Sequence, residues 1–148
     1  MKNIIKSFFT LFLLASLSAT LYAQSDMELV GQCAASAGDV TFLKDFVATL
    51  DAGTPGGKPP QVKFSLVLSK NTNYRFSICN APDSEGEAVL QLYDLNMLQG
   101  ATYMESLGKD FPYFDFKCQK TGVYHVFIFF KDGKPGKAAG IMSFVEKL

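Results

Sequence analysis

Few side chains in this sequence could do chemistry, and their spacing limits what that chemistry could be. His125 is the sole histidine. In a nucleophile–base arrangement it would accept a proton from Cys118 or a nearby serine, with an aspartate holding the ring in place. No Gly-x-Ser-x-Gly elbow accompanies it. It sits inside Val123–Phe130 (VYHVFIFF), an extended run that would carry it on a sheet face. The expectation is therefore a non-enzymatic chain with no catalytic residue. A small secreted hydrolase using His125 is the alternative.

Cys33, Cys79 and Cys118 complete a three-Cys, one-His set by count, but no two cysteines lie at the short spacing of a zinc site. No metal and no cofactor are expected. Asp83, Glu85 and Glu87 share one short loop and are weak calcium candidates, since calcium takes several loop carboxylates and carbonyls. A solvated turn is the preferred reading of them. Tyr93, Tyr103 and Tyr113 fall near loops or strand ends and could form a binding surface for a sugar ring or a protein.

These groups must be placed by the elements around them. The chain has 148 residues, 48% of them apolar, with 14 basic residues against 14 acidic ones. That balance argues against disorder and against nucleic-acid binding, which needs a basic excess. Residues 1–23 read as a signal peptide: Lys2 and Lys6, the apolar run Phe8–Leu17, then Leu21-Tyr22-Ala23 ahead of Gln24. Export to the periplasm or beyond follows, and no later run is long and apolar enough to span a membrane. Residues 24–148 would form one domain, with 24–39 as an irregular arm rich in small residues.

Beyond the arm, period-two alternation dominates. Phe42–Leu50 alternates with Phe42, Phe46 and Leu50 on one side. A Gly- and Pro-rich stretch, Asp51–Pro60, breaks the pattern. Val62, Phe64, Leu66 and Leu68 alternate next, and a short turn leads to Tyr74, Phe76 and Ile78, which together read as a hairpin. Ala88–Asp94 is a further strand, and residues 95–110 are a loop or hold a short edge strand near Ala101–Met104. Phe111–Cys118, Val123–Phe130 and Ala138–Val145 follow, with Asp132-Gly133 reading as hairpin chemistry between the last two. Both alternating sets of Val123–Phe130 are apolar, as in a central strand or one giving a face to a partner. Seven or eight short strands without a trusted helical period predict an all-β antiparallel sandwich, jelly-roll-like, that buries the many Phe between two sheets.

Strand parity bears on the cysteines. With Tyr74, Phe76 and Ile78 inside, Cys79 points outward; with Phe114 and Phe116 inside, Cys118 points inward. Opposite faces cannot form a disulfide. The expected pair is Cys33–Cys79, with Cys118 a buried free thiol, although one bulge would reverse the parity.

Lys63–Cys79 (KFSLVLSKNTNYRFSIC), Ala88–Asp94 (AVLQLYD) and Lys120–Phe130 (KTGVYHVFIFF) occur in an order that resembles the bacterial pre-peptidase C-terminal (PPC) domains. The resemblance spans about residues 62–130. It implies a secreted β-sandwich that serves as a non-catalytic binding or accessory module for a protein or glycan partner. A structural envelope component with no small ligand is a further reading.

Overall fold

The computed structural model describes residues 25–148. The signal-peptide reading of residues 1–23 lies outside the described residues. The strands are β1 (Thr41–Leu50), β2 (Gln61–Leu68), β3 (Thr72–Asn80), β4 (Ala88–Asp94), β5 (Met97–Ala101), β6 (Tyr103–Met104), β7 (Lys109–Asp110), β8 (Tyr113–Cys118), β9 (Gly122–Phe130) and β10 (Gly136–Lys147). They form two four-stranded antiparallel sheets, β1-β10-β3-β8 and β2-β9-β4-β5, plus the small β6-β7 ladder.

Set aside the two-residue strands β6 and β7, and the eight long strands run first-eighth-third-sixth in one sheet and second-seventh-fourth-fifth in the other. That is the order of a jelly roll, two Greek keys folded into a sandwich. Within the two large sheets, consecutive strands pair only at β4–β5. The expected hairpin between Val62–Leu68 and Tyr74–Ile78 is therefore not formed. Both strands exist, but β2 pairs with β9 and β3 with β10 and β8. The short link at Lys70–Asn71, with Asn71 in the left-handed region (φ 61°), carries the chain from one sheet to the other. Asp132-Gly133 likewise makes a left-handed turn (φ 57° and 65°), yet it joins strands of opposite sheets instead of closing a hairpin.

Alternation explains the core. Phe46, Phe76, Phe130, Leu68, Leu90, Leu92, Val126 and Ile128 are fully buried between the sheets. Phe76 stacks on Phe114 with ring centroids 5.5 Å apart, and Phe46 meets Phe64 at 5.2 Å. A Cβ on Gly140 would lie 2.9 Å from Leu90 Cδ1 and 3.2 Å from Ile128 Cδ1, so a larger residue there would require these core side chains to shift. One parity expectation fails for an identifiable reason. A register shift between Phe42 and Lys44 turns Phe42 out to 46% exposure while Phe46 goes in. On β9, Tyr124, Val126, Ile128 and Phe130 face the core, and Phe127 and Phe129 lie on its other side.

Residues 25–36 form a helix, α1, where the sequence reading expected an irregular arm. Leu29, Cys33 and Ala37 recur every four residues and are buried against Ala81, Ala139 and Ile141, on the outer side of β1-β10-β3-β8. Small residues carry much of this stripe, which is why its period is faint in the sequence. Three ties hold α1 down. Cys33 and Cys79 form the expected disulfide, with Cα atoms 5.7 Å apart. Lys137 pairs with Asp26 in the first turn. At the other end, Arg75 Nη1 donates to the Ala37 carbonyl at 2.9 Å while Nε and Nη2 grip both Asp115 oxygens at 2.7 and 2.9 Å. Its guanidinium also lies 3.8 Å from the Tyr113 ring centroid. The bonds to Asp115 hold the Arg75 pKa above its usual value despite partial burial.

Cys118 is the buried free thiol expected, and it packs within the core beside Tyr124. The Tyr124 hydroxyl donates to the Lys120 carbonyl at 2.8 Å. Burial, then the contact with Cys118, push its pKa up to about 12.

Two outcomes follow. Cys33→Ser with Cys79→Ser removes a cross-link spanning 46 residues and is expected to cost about 2–4 kcal/mol in urea unfolding, with loss of helical ellipticity. For Tyr124, the folded pKa lies above the unfolded one, so its contribution is complete below pH 10 and declines as pH rises through about 12. Tyr124→Phe should lower stability by about 1 kcal/mol at neutral pH. Its unfolding midpoint should fall less steeply than that of the unmodified chain between pH 10 and 12, read by denaturant titration at each pH.

Candidate functional site

With α1 over the outer side of one sheet, the outer side of β2-β9-β4-β5 is the broad face left open, except at its Val89 end, where that outward residue is fully buried. Its composition follows from alternation. Each strand gives its larger apolar set to the core and presents the other set outward, so pairing rows can be read across the sheet. Val67 pairs with Val123. Ser65, His125, Tyr93 and Leu98 form the next row, and Lys63, Phe127, Gln91 and Ala101 the one after. A polar solvated face would be the usual partner of such a core. Instead Val67 is 68%, Val123 53% and Leu98 50% exposed, with Tyr93, Phe127 and Phe129 half-buried beside them. Leu95, at the tip of the β4–β5 hairpin, adds a side chain that is 74% exposed.

Local contacts fix this surface. Tyr93 meets Phe127 edge to face, centroids 5.5 Å apart. Lys63 Nζ lies 5.9 Å from the Phe127 ring centroid. Ser65 Oγ and His125 Nδ1 are hydrogen-bonded at 2.9 Å. Each ring belongs to a strand paired on both sides, so the array is held in place before any partner arrives.

The residues singled out from sequence do not converge on one site. Tyr93 lies on this face. Tyr113 lies on the outer side of the opposite sheet under Arg75, and Tyr103 lies under Lys131 Nζ, 4.0 Å from its ring centroid. Lys131 also takes Glu87 out of any calcium set, bonding its Oε2 at 3.1 Å and both Asp110 oxygens at 2.6 Å. Burial pulls the Lys131 pKa down, but the bonds to Asp110 and Glu87 outweigh it and leave it raised. Asp83 and Glu85 are exposed. Among the described residues no three His, Cys, Asp or Glu gather as a metal set.

His125 and Cys118 lie on opposite sides of their sheets: the imidazole faces outward and the thiol lies in the core beside Tyr124. The Cys118–His125 pair of the hydrolase reading is not formed. Ser65 is the serine that reaches His125, on an open sheet face. Among the described residues the side-chain partner of His125 is Ser65, with no carboxylate bonded to its ring. Val67, Leu95 and Leu98 went unnoticed in the sequence. The available signal was Val67, a β-branched residue at a position where its strand otherwise shows Lys63 and Ser65.

No helix among the described residues is long and apolar enough to cross a membrane. No protein-family model and no curated protein matches the chain. Among solved structures it is similar to PliG from Aeromonas hydrophila, a periplasmic lysozyme inhibitor of g-type lysozyme. That match has a TM-score of 0.52 at 8% identity, covering 71% of this chain and 88% of that one. It is also similar to the pre-peptidase C-terminal domain of collagenase from Bacillus anthracis, with a TM-score of 0.50 at 12% identity over 70% and 90% of the two chains. At such identities the likeness is one of fold, and the fold is the PPC-like β-sandwich that the sequence motifs resemble.

Proposed function

We propose that this chain is an exported, non-catalytic jelly-roll module that binds a protein partner through the open face of β2-β9-β4-β5. The observation that carries the reading is the row structure of that face, where Val67, Val123 and Leu98 stand exposed around Tyr93, His125 and Phe127. Contiguous exposed apolar surface beside half-buried aromatic rings is the usual mark of an interaction site. The leader-like residues 1–23 and the Cys33–Cys79 cross-link fit an oxidising, exported setting. The fold-level likeness to a lysozyme inhibitor supports a protein partner over a reaction.

Val67→Gln with Val123→Gln tests the proposal. Both side chains are exposed, so stability should stay within about 0.5–1 kcal/mol of the unmodified chain. Cross-linking in the envelope extract, quantified by mass spectrometry, should show the principal protein partner reduced about tenfold, roughly 1.4 kcal/mol. Equal recovery by a folded double variant overturns the proposal. Oligosaccharide titration that shifts the Tyr93 and Phe127 resonances, with no protein partner captured, replaces it with the glycan reading.

A further inference from the structure

Building on that reading, we infer that the partner surface is apolar and carries carboxylates, and that it is not a second copy of this chain. The charge distribution leads there. The whole sequence is balanced, 14 basic against 14 acidic residues. The outward positions of β2, β9 and β4 nevertheless carry no Asp or Glu, while Lys63 and His125 stand among them. At the Val67–Val123 end the rim is cationic too. Next to Val67 and Val123, the turns at residues 69–71 and 119–121 present Lys70 and Lys120, and these turns are locked together by the Lys70 N–H donating to Thr121 Oγ1 at 2.8 Å. The carboxylate near this rim is Asp94, whose side chain is 17% exposed and paired with Lys120 at 3.4 Å. An incoming carboxylate therefore meets Lys63 and Lys70 without displacing an existing ion pair.

Area and symmetry separate the occupants. Val67, Val123, Leu95 and Leu98, with the half-buried rings, expose apolar surface on the order of the 300–600 Å² that forms the largest patch of a typical monomer. With its rim, the face approaches the ~800 Å² that each side of a standard interface buries. A two-fold pair of copies would have to set this face against itself. Lys63 and Lys70 would then meet apolar side chains, neutral Ser65, Gln91 and Tyr93, or each other. The carboxylate near the rim, Asp94, is already paired with Lys120, so the two lysines would lose water without gaining a free counter-ion. A partner bearing carboxylates around an apolar patch removes that cost.

The test uses the full folded chain, labelled with ¹⁵N, and two synthetic peptides with the same alternating valines and leucines, interleaved with glutamates in one and lysines in the other. The glutamate peptide is expected to bind about tenfold more tightly at low salt, to shift the amides of residues 63–67 and 121–127, and to lose most of that advantage in ~1 M salt. Lys63→Glu with Lys70→Glu should reverse the preference while leaving the fold unchanged. Equal binding of the two peptides on this face overturns the acidic partner and leaves the protein-binding reading standing. Binding of neither peptide at millimolar concentration overturns the acidic partner, and oligosaccharide binding at Tyr93 and Phe127 would then remove the protein-binding reading as well. Concentration-dependent dimerisation abolished by Val123→Gln identifies a second copy as the occupant. Cosedimentation with phosphatidylglycerol vesicles in place of peptide binding identifies a lipid surface, and either result overturns the inference.

Discussion

The docking of α1 on the outer side of β1-β10-β3-β8 sets the asymmetry of the molecule. A sandwich buries its two inner faces against each other and leaves two outer faces to water. Here one of those faces carries Ala81, Ala139 and Ile141, which α1 covers with Leu29, Cys33 and Ala37. A single helix of about three turns buries too little to hold that position by apolar area alone. It is fastened covalently at Cys33, electrostatically at Asp26, and by Arg75 at the carbonyl end. Arg75 is the one arginine in the chain, and lysine could not do its work. A planar fork is needed to grip Asp115 with two donors, reach Ala37 with a third and lie flat on Tyr113. A cation at the end of α1 also complements the helix dipole.

The outer face of the opposite sheet is closed at one end, where Val89 is fully buried, and open at the end that carries Val67, Val123 and Leu98. What separates it from ordinary exposed apolar surface is its rigidity. β9 is hydrogen-bonded to β2 on one side and to β4 on the other, and its inward residues Val126 and Ile128 are fully buried. The outward set of the same strand therefore cannot shift without disturbing the core. Binding on such a face orders few side chains, so little of the association energy is lost to entropy. Under the proposed binding role, Lys63 and Lys70 would add selectivity by attracting carboxylate-bearing partners and disfavouring cationic ones.

How much of this was legible in the sequence depended on the range of the forces involved. Alternation is local, and it located seven strands and the doubly apolar Val123–Phe130 that lies mid-sheet. Parity is also local, and it sorted Cys79 outward and Cys118 inward, which is how the Cys33–Cys79 pairing could be anticipated. The jelly-roll crossings are not local. A short polar turn between two alternating runs looks the same whether it closes a hairpin or carries the chain between sheets, so the β2–β3 link was misread. The bulge at Leu43 that turned Phe42 outward has no composition signal. Helix α1 was missed because Cys33 and Ala37 hold a period-four stripe with little hydrophobic weight. Tyr103 and Tyr113 were grouped with Tyr93 by residue type and by their place near loops or strand ends, although Lys131 and Arg75 occupy their rings.

The hairpin tip at Leu95 sharpens the contrast between a tolerated apolar surface and a functional one. Leu95 has φ 52°, in the left-handed region where glycine or asparagine sits with least strain, and Asn96 follows it directly. A leucine there costs on the order of 1–2 kcal/mol in backbone energy, and its side chain, 74% exposed, gains little from packing in the monomer. Elsewhere among the described residues the need is met more cheaply: Asn71, Asp132, Gly38, Gly56, Gly108 and Gly133 occupy the other positive-φ positions. The exception falls at the one hairpin within the two large sheets, one turn from Leu98 and at the rim shared with Val123. The backbone cost at Leu95 is therefore not offset by packing within the chain, which sets this side chain apart from exposed apolar residues that carry no strain.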